Sequence, residues 1–115
     1  MFPEEYLYIL ALRQCKNIGN TNLRKLIQIK GSAKAVWETP KKNLLSISGI
    51  GTKITQDIGK KEFLLKAEKE LKFCQQKSIS IVSHNDSSYP KHLSNCDDAP
   101  AILFYKGKLI YNLNP

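Results

Sequence analysis

Apolar side chains recur at helical intervals over the first two thirds of the chain and gather into short β-prone runs afterwards, so helices come first and strands second. Leu7, Leu10 and Ala11 share one face of a helix from about Glu4 to Gln14. A turn follows at Asn17-Ile18-Gly19. Asn20 or Thr21 is then expected to cap a second helix, with Leu23, Leu26, Ile27 and Ile29 inward. Gly31 suits a left-handed stop, and Ser32 caps a short third helix through Trp37. Trp37, at helical spacing from Ala33, reads as core. Pro40 opens another short helix that buries Leu44 and Ile47 before Ser48-Gly49-Ile50-Gly51. A further helix begins near Thr52, and Gly59 kinks or restarts it. From Lys61 to about Gln76, Phe63, Ala67, Leu71 and Cys74 make one stripe, while Lys66, Lys69, Lys72, Glu62, Glu68 and Glu70 populate the other faces.

After Lys77 the period changes. Ile79, Ile81 and Val82 predict a short strand. Residues 84–100 are rich in Asn, Asp, Ser and Pro and read as loop, with one helical turn from Pro90 to Leu93. Residues 101–105 give a second strand, ended by Lys106-Gly107-Lys108. This divides the chain into a helical domain, 1–78, and the start of a second domain that opens with strands, 79–115. A two-stranded tail with an apolar face does not complete a sheet alone. The expectation is therefore a truncated second domain whose open edge after Ile102 leaves the tail mobile or paired with a second copy.

Charge sharpens this division. The 115 residues carry a formal +8, with 15 Lys and Arg against 7 Asp and Glu in residues 1–78 and 3 against 3 in residues 79–115. An anionic partner such as a phosphate polymer is expected to dock on the helical part; a merely well-solvated basic surface is the alternative. The hydrophobic content, 42%, suffices for a core. Cys15, Cys74 and Cys96 have no metal-type spacing and form an odd set, which fits reduced thiols in the cytoplasm. The acidic start lacks the positive charge of a secretory signal, and no apolar run approaches the roughly 18–20 residues of a membrane span.

The sharpest local signal is Leu44-Leu45-Ser46-Ile47-Ser48-Gly49-Ile50-Gly51-Thr52-Lys53. Two glycines one residue apart permit a tight hairpin between helices and a close approach of phosphate. Amides at Gly51, Thr52 and Lys53 begin the next helix, and Lys53 adds a mobile positive charge. The pattern resembles the helix-hairpin-helix motif, which grips DNA backbones without reading sequence. Thr55 departs from it, standing where a small Ala is usual. Gly51 is expected to need positive φ, so that Val there would spoil the turn. Asn17-Ile18-Gly19 is a half-copy, with Asn17 in place of the first glycine. Candidate DNA-binding residues are Ser48, Gly49, Ile50, Gly51, Thr52 and Lys53, with Gly19, Arg24 and Lys25. Lys30, Lys34, Lys41, Lys42, Lys60 and Lys61 extend the basic track if they share its face. The competing reading is a connection whose glycines serve only the turn.

No catalytic constellation is evident. His84 with Asp86, and His92 with Cys96, Asp97 and Asp98, match no common zinc spacing and read as turn and cap groups. Neither a nucleophile triad nor a phosphate-cradling loop can be argued, so no cofactor is expected and the chain reads as a non-enzyme.

The order of features resembles the start of the DprA/Smf family of DNA-processing proteins. A basic helical domain carries Ser48-Gly49-Ile50-Gly51. A strand follows at Ile79-Ser80-Ile81-Val82, then Asp86-Ser87-Ser88-Tyr89-Pro90-Lys91-His92-Leu93, then Ala99-Pro100-Ala101-Ile102-Leu103-Phe104-Tyr105-Lys106-Gly107. Tyr89, Pro90, Pro100 and Gly107 read as scaffold: Pro90 fixes its own φ and extends Tyr89, Leu93 folds back on the strands, and Gly107 permits a reversal. The resemblance implies a mainly α chain: a short-helix, sterile-alpha-motif-like (SAM-like) bundle followed by the first strands of an incomplete Rossmann-like domain. It also implies a role in natural transformation, binding incoming single-stranded DNA and assisting a RecA-type recombinase. The family's glycine-rich and basic groove motifs would lie beyond Pro115. Two other classes stay open: a partner-binding module without DNA contact, and the substrate-holding part of a DNA repair enzyme.

Overall fold

One helix is buried over much of its circumference, with three other helices and a strand packed against it. The computed structural model describes residues 3–15, 17–84, 86–96 and 99–106, and the backbone of 109–111. The helices are α1 (Glu4–Gln14), α2 (Gly19–Lys30), α3 (Ala33–Glu38), α4 (Lys41–Leu45), α5 (Thr52–Thr55), α6 (Lys61–Gln76) and α7 (Lys91–Ser94). The strands are β1 (Ser80–Ser83), β2 (Ile102–Lys106) and β3 (Leu109–Tyr111). The chain is mainly helical, and among the described residues no helix is long and apolar enough to cross a membrane.

The expected single stripe on α1 is too narrow a reading. Tyr6, Ile9, Leu10, Ala11 and Leu12 are all buried. Such breadth marks a helix enclosed by neighbours: α6 and α3 pack on it, α2 crosses it, and β2 approaches from a further side. Glu5 extends this role into hydrogen bonding, since its carboxylate accepts from the amides of Ala33 (2.5 Å) and Lys34 (3.2 Å) at the start of α3. Ser32 Oγ accepts from the Ala35 amide at 3.1 Å, the cap expected from sequence. Gly31 closes α2 at φ +95. Neither Asn20 nor Thr21 is the cap of α2; the helix begins at Gly19, whose φ of +70 turns the chain directly into it, with Ile18 at the cap position and no side-chain cap bond. Ile29 is also misassigned, being 51% exposed. Trp37 is core. Gly59, at φ +92, ends the turns after α5, so the helix restarts as α6 at Lys61.

The sheet is antiparallel throughout, in the order β1-β2-β3. Ser80 pairs with Tyr105 and Ser83 with Ile102. Ile81, Ile102 and Phe104 join the main core with α1, and Arg13 lies 5.4 Å from the Phe104 ring centroid. The opposite face holds Val82 and Leu103 under Tyr89, with Leu93 and Tyr105 packed against them. This is the fold-back expected of Leu93, and Tyr89 fixes it by donating to the Pro100 carbonyl at 2.7 Å. The open edge expected beyond Ile102 is filled by β3, which pairs with Phe104–Lys106. Gly107 and Lys108, between these strands, lie outside the described residues. Across the α1–sheet contact, Tyr6 donates to Asp86 Oδ2 at 2.5 Å, and that oxygen also accepts from the Ser83 amide at 2.8 Å.

Candidate nucleic-acid interface

The hairpin between α4 and α5 stands on the surface. Ser48, Gly49, Gly51, Thr52 and Lys53 are exposed, while Ile50 is buried as the plug that seats the turn. The two glycines do different work. Gly49 is left-handed, at φ +85, so here the turn needs glycine. Gly51 sits at φ −103, ψ −178, ordinary extended backbone, and a Cβ built on it meets nothing within 4 Å. The expectation of positive φ at Gly51 is therefore corrected, because the reversal is completed at Gly49 and Gly51 only extends the chain into α5. Thr55 is fully buried, and its hydroxyl lies within hydrogen-bond reach of the Gly51 (3.4 Å) and Thr52 (3.3 Å) carbonyls, so the fold accommodates its bulk.

Two long-range bonds hold the hairpin from outside. Lys25 on α2 donates from Nζ to the Ser48 carbonyl at 2.5 Å, and its Nζ would lie 3.1 Å from a Cβ at Gly49. Asn17, in the α1–α2 turn, donates from Nδ2 to the Lys53 carbonyl at 3.4 Å. The two glycine-containing turns are thus neighbours, with Gly19 two residues from Asn17. Asn17 was legible only as a departure from a repeated motif; nothing local announces a contact 36 residues away.

Arg24 is not part of this cluster. Its guanidinium donates to the Cys96 carbonyl at 3.1 Å, toward the loop under the sheet. Other members of the expected basic track are also tied inside the chain: Lys34 pairs with Glu4 (2.9 Å), Lys60 with Asp57 (3.0 Å), and Lys41 donates to the Gln56 carbonyl (2.9 Å). Among the described residues Lys30, Lys42, Lys53 and Lys61 make no such bond.

Electrostatics elsewhere is structural. Burial pushes the Cys15 thiol up to about 12 and also raises Cys74, so both are core side chains; Cys96 is exposed. Burial alone would raise the Asp86 carboxyl, but the Tyr6 hydroxyl and the Ser83 amide hold it below its ordinary value. Burial, then Asp86 itself, raises Tyr6. His84 packs edge-on to Tyr89, ring centroids 5.1 Å apart. Among the described residues no three His, Cys, Asp or Glu side chains converge as a metal site; Asp97 and Asp98 lie outside those residues.

No family model matches the chain, and no solved structure matches it. A search of curated proteins finds Protein Smf of Synechocystis sp., 28% identical over 109 residues, which is 95% of this chain and 27% of that protein. The chain thus spans about a quarter of the length of the relative it matches. The family resemblance read from the residues has its counterpart in a named homologue, Protein Smf.

Proposed function

We propose that the chain is a DNA-binding part of a DNA-processing protein of the DprA/Smf type, acting by holding a phosphate backbone at the Ser48–Lys53 hairpin rather than by catalysis. The observation that carries this reading is the exposed Gly49-Ile50-Gly51 turn, braced by Lys25 and Asn17, with the unpaired Lys53 beside it. A braced turn presents its amides at a lower entropy cost on binding, and open space around Gly51 leaves room for phosphate. In the whole protein the DNA would be single-stranded and the onward partner a RecA-type recombinase, with this SAM-like helical part preceding a Rossmann-like domain.

The experiment compares two lysines of equal charge. Affinity for a fluorescent oligonucleotide is measured against salt for the unaltered chain, Lys53→Ala and Lys69→Ala. Lys53→Ala is expected to weaken all sequences alike and to lower the salt slope by roughly one unit, while Lys69→Ala does little. Equal losses would mean diffuse attraction, with the hairpin reduced to a turn.

A further inference from the structure

The side of α6 turned away from the core carries a second, different surface. Its inner face is Ala67 and Cys74, buried, with Phe63, Leu64 and Leu71 half-buried. Opposite, Leu65, Lys69, Lys72, Phe73 and Gln76 follow one another at spacings of four, three, one and three residues, which puts them on one side of the helix. All five are exposed, Leu65 by 47% and Phe73 by 53%. These two apolar side chains stand about 12 Å apart along the axis at 1.5 Å per residue, and the alkyl stems of the lysines between them can extend the apolar strip. Neither belongs to the side chains that pack against the core.

The charge on this side narrows what could cover it. Lys61, Lys66, Lys69 and Lys72 outnumber Glu62 and Glu68 there. Although Glu62–Lys66 and Glu68–Lys72 have the spacing of helical ion pairs, neither forms among the described residues; Lys66 lies instead 5.6 Å from the Phe63 ring centroid. A second copy would set lysines against lysines, which repel. A nucleic acid would use the lysines and Phe73 but leave Leu65 without a partner. An acidic helix with an apolar stripe satisfies both features at once.

We propose that the outer face of α6 docks an acidic amphipathic helix of a partner protein. Leu65 and Phe73 enter between that helix's apolar side chains, and its carboxylates meet Lys69 and Lys72. Leu65, Lys69, Lys72, Phe73 and Gln76 are none of them hairpin residues, and the proposal does not depend on the DNA reading.

The test uses the full chain, isotope-labelled for NMR, and a synthetic probe: a Glu-rich peptide of about 18 residues, roughly five turns, with Leu at helical spacing. A scrambled peptide of the same composition and an oligonucleotide are the comparisons. The expected result is saturable binding with amide shifts centred on residues 65–76. Leu65→Ser with Phe73→Ser should weaken it by roughly tenfold or more, as should Lys69→Glu with Lys72→Glu. All four changes are on the surface, and unchanged circular dichroism is the folding control. Equal binding of the scrambled peptide, or an intact affinity in the serine variant, overturns the proposal in favour of unspecific charge attraction. Absence of binding overturns it outright. If the α6 variants lose oligonucleotide affinity as strongly as peptide affinity, the face is a nucleic-acid surface and the proposal is wrong.

Discussion

Replacing each hairpin glycine by alanine separates the turn's stability from its accessibility. At Gly49, φ +85 forces an alanine into the left-handed region at a cost of about 1–2 kcal/mol. Its Cβ also comes within 3.1 Å of Lys25 Nζ, so the Lys25–Ser48 bond must shift. That bond is exposed, and its loss adds no more than about 0.5–1 kcal/mol. Against this, alanine restricts the unfolded chain and returns about 0.4–1 kcal/mol. The net expectation for Gly49→Ala is a loss of roughly 1–2 kcal/mol. At Gly51 the backbone is extended and the space open, so only the unfolded-state effect remains and Gly51→Ala is neutral or slightly stabilising. Val at Gly51 is tolerated for the same reason, since extended backbone suits a β-branched residue.

Urea denaturation followed by circular dichroism measures the difference. With a typical slope of about 1–3 kcal/mol per molar, the two alanine variants should differ in midpoint by roughly 1 M. Oligonucleotide affinity then gives the second reading. If phosphate approaches the amides beside Gly51, Gly51→Val loses affinity while keeping its stability. A Gly51→Ala variant as unstable as Gly49→Ala would refute the assignment of roles. A stable Gly51→Val with undiminished affinity would refute phosphate contact at this turn.

Other expectations follow from single contacts. Lys25→Met keeps the stem but removes the donor to Ser48; it should cost less than about 1 kcal/mol in stability yet reduce oligonucleotide affinity more than Lys69→Ala does. Tyr6→Phe removes the bond to the Asp86 carboxylate and should destabilise by about 1.5–3 kcal/mol near neutral pH. Because the folded carboxyl lies below its unfolded value of about 3.9, this stability is present above that pH and disappears as the pH falls through the folded value. The raised Tyr6 hydroxyl makes the same contact fade as pH climbs above about 10. The variant's stability curve should be flatter at both ends, and a parallel curve would contradict this role of the Tyr6–Asp86 bond. A thiol reagent should modify Cys96 at once but Cys15 and Cys74 only on unfolding; prompt reaction of all three thiols would show that the core is open.

Period and punctuation made most elements legible. Glu4–Gln14 was read with its bounds, and Gly31, Ser32 and Pro40 mark stops and starts because their backbone and capping preferences are local physics. What the pattern lacked was tertiary. A stripe of Leu7, Leu10 and Ala11 does not announce that Ile9 and Leu12 are also covered, because enclosure of α1 depends on strands some 90 residues away. β3 was missed because Lys106-Gly107-Lys108 reads as an end as easily as a turn. At the candidate site the hairpin was visible as two glycines, but not which of them carries positive φ. Arg24 and Lys25 are adjacent in sequence and were grouped together, yet about 100° of helical rotation sends one to Cys96 and the other to Ser48.

That divergence sets the strength of binding to expect. A track of eight or nine cations would release about as many counterions, giving a slope near −6 on single strands at about −0.7 per phosphate. Five of those cations, Arg24, Lys25, Lys34, Lys41 and Lys60, are already engaged within the chain. Lys25 keeps two of its three donors and can still meet a phosphate while holding Ser48; the ion-paired Lys34 and Lys60 would first have to leave their carboxylates. Lys25 and Lys53, with at most the unbonded Lys30, Lys42 and Lys61, are then the usable set, and the slope falls to roughly −3. Binding of that kind is weak at physiological salt and clear only in dilute buffer. If the hairpin does contact DNA, two exposed braces and so few free cations suit it to positioning a strand, with most of the affinity left to other surfaces.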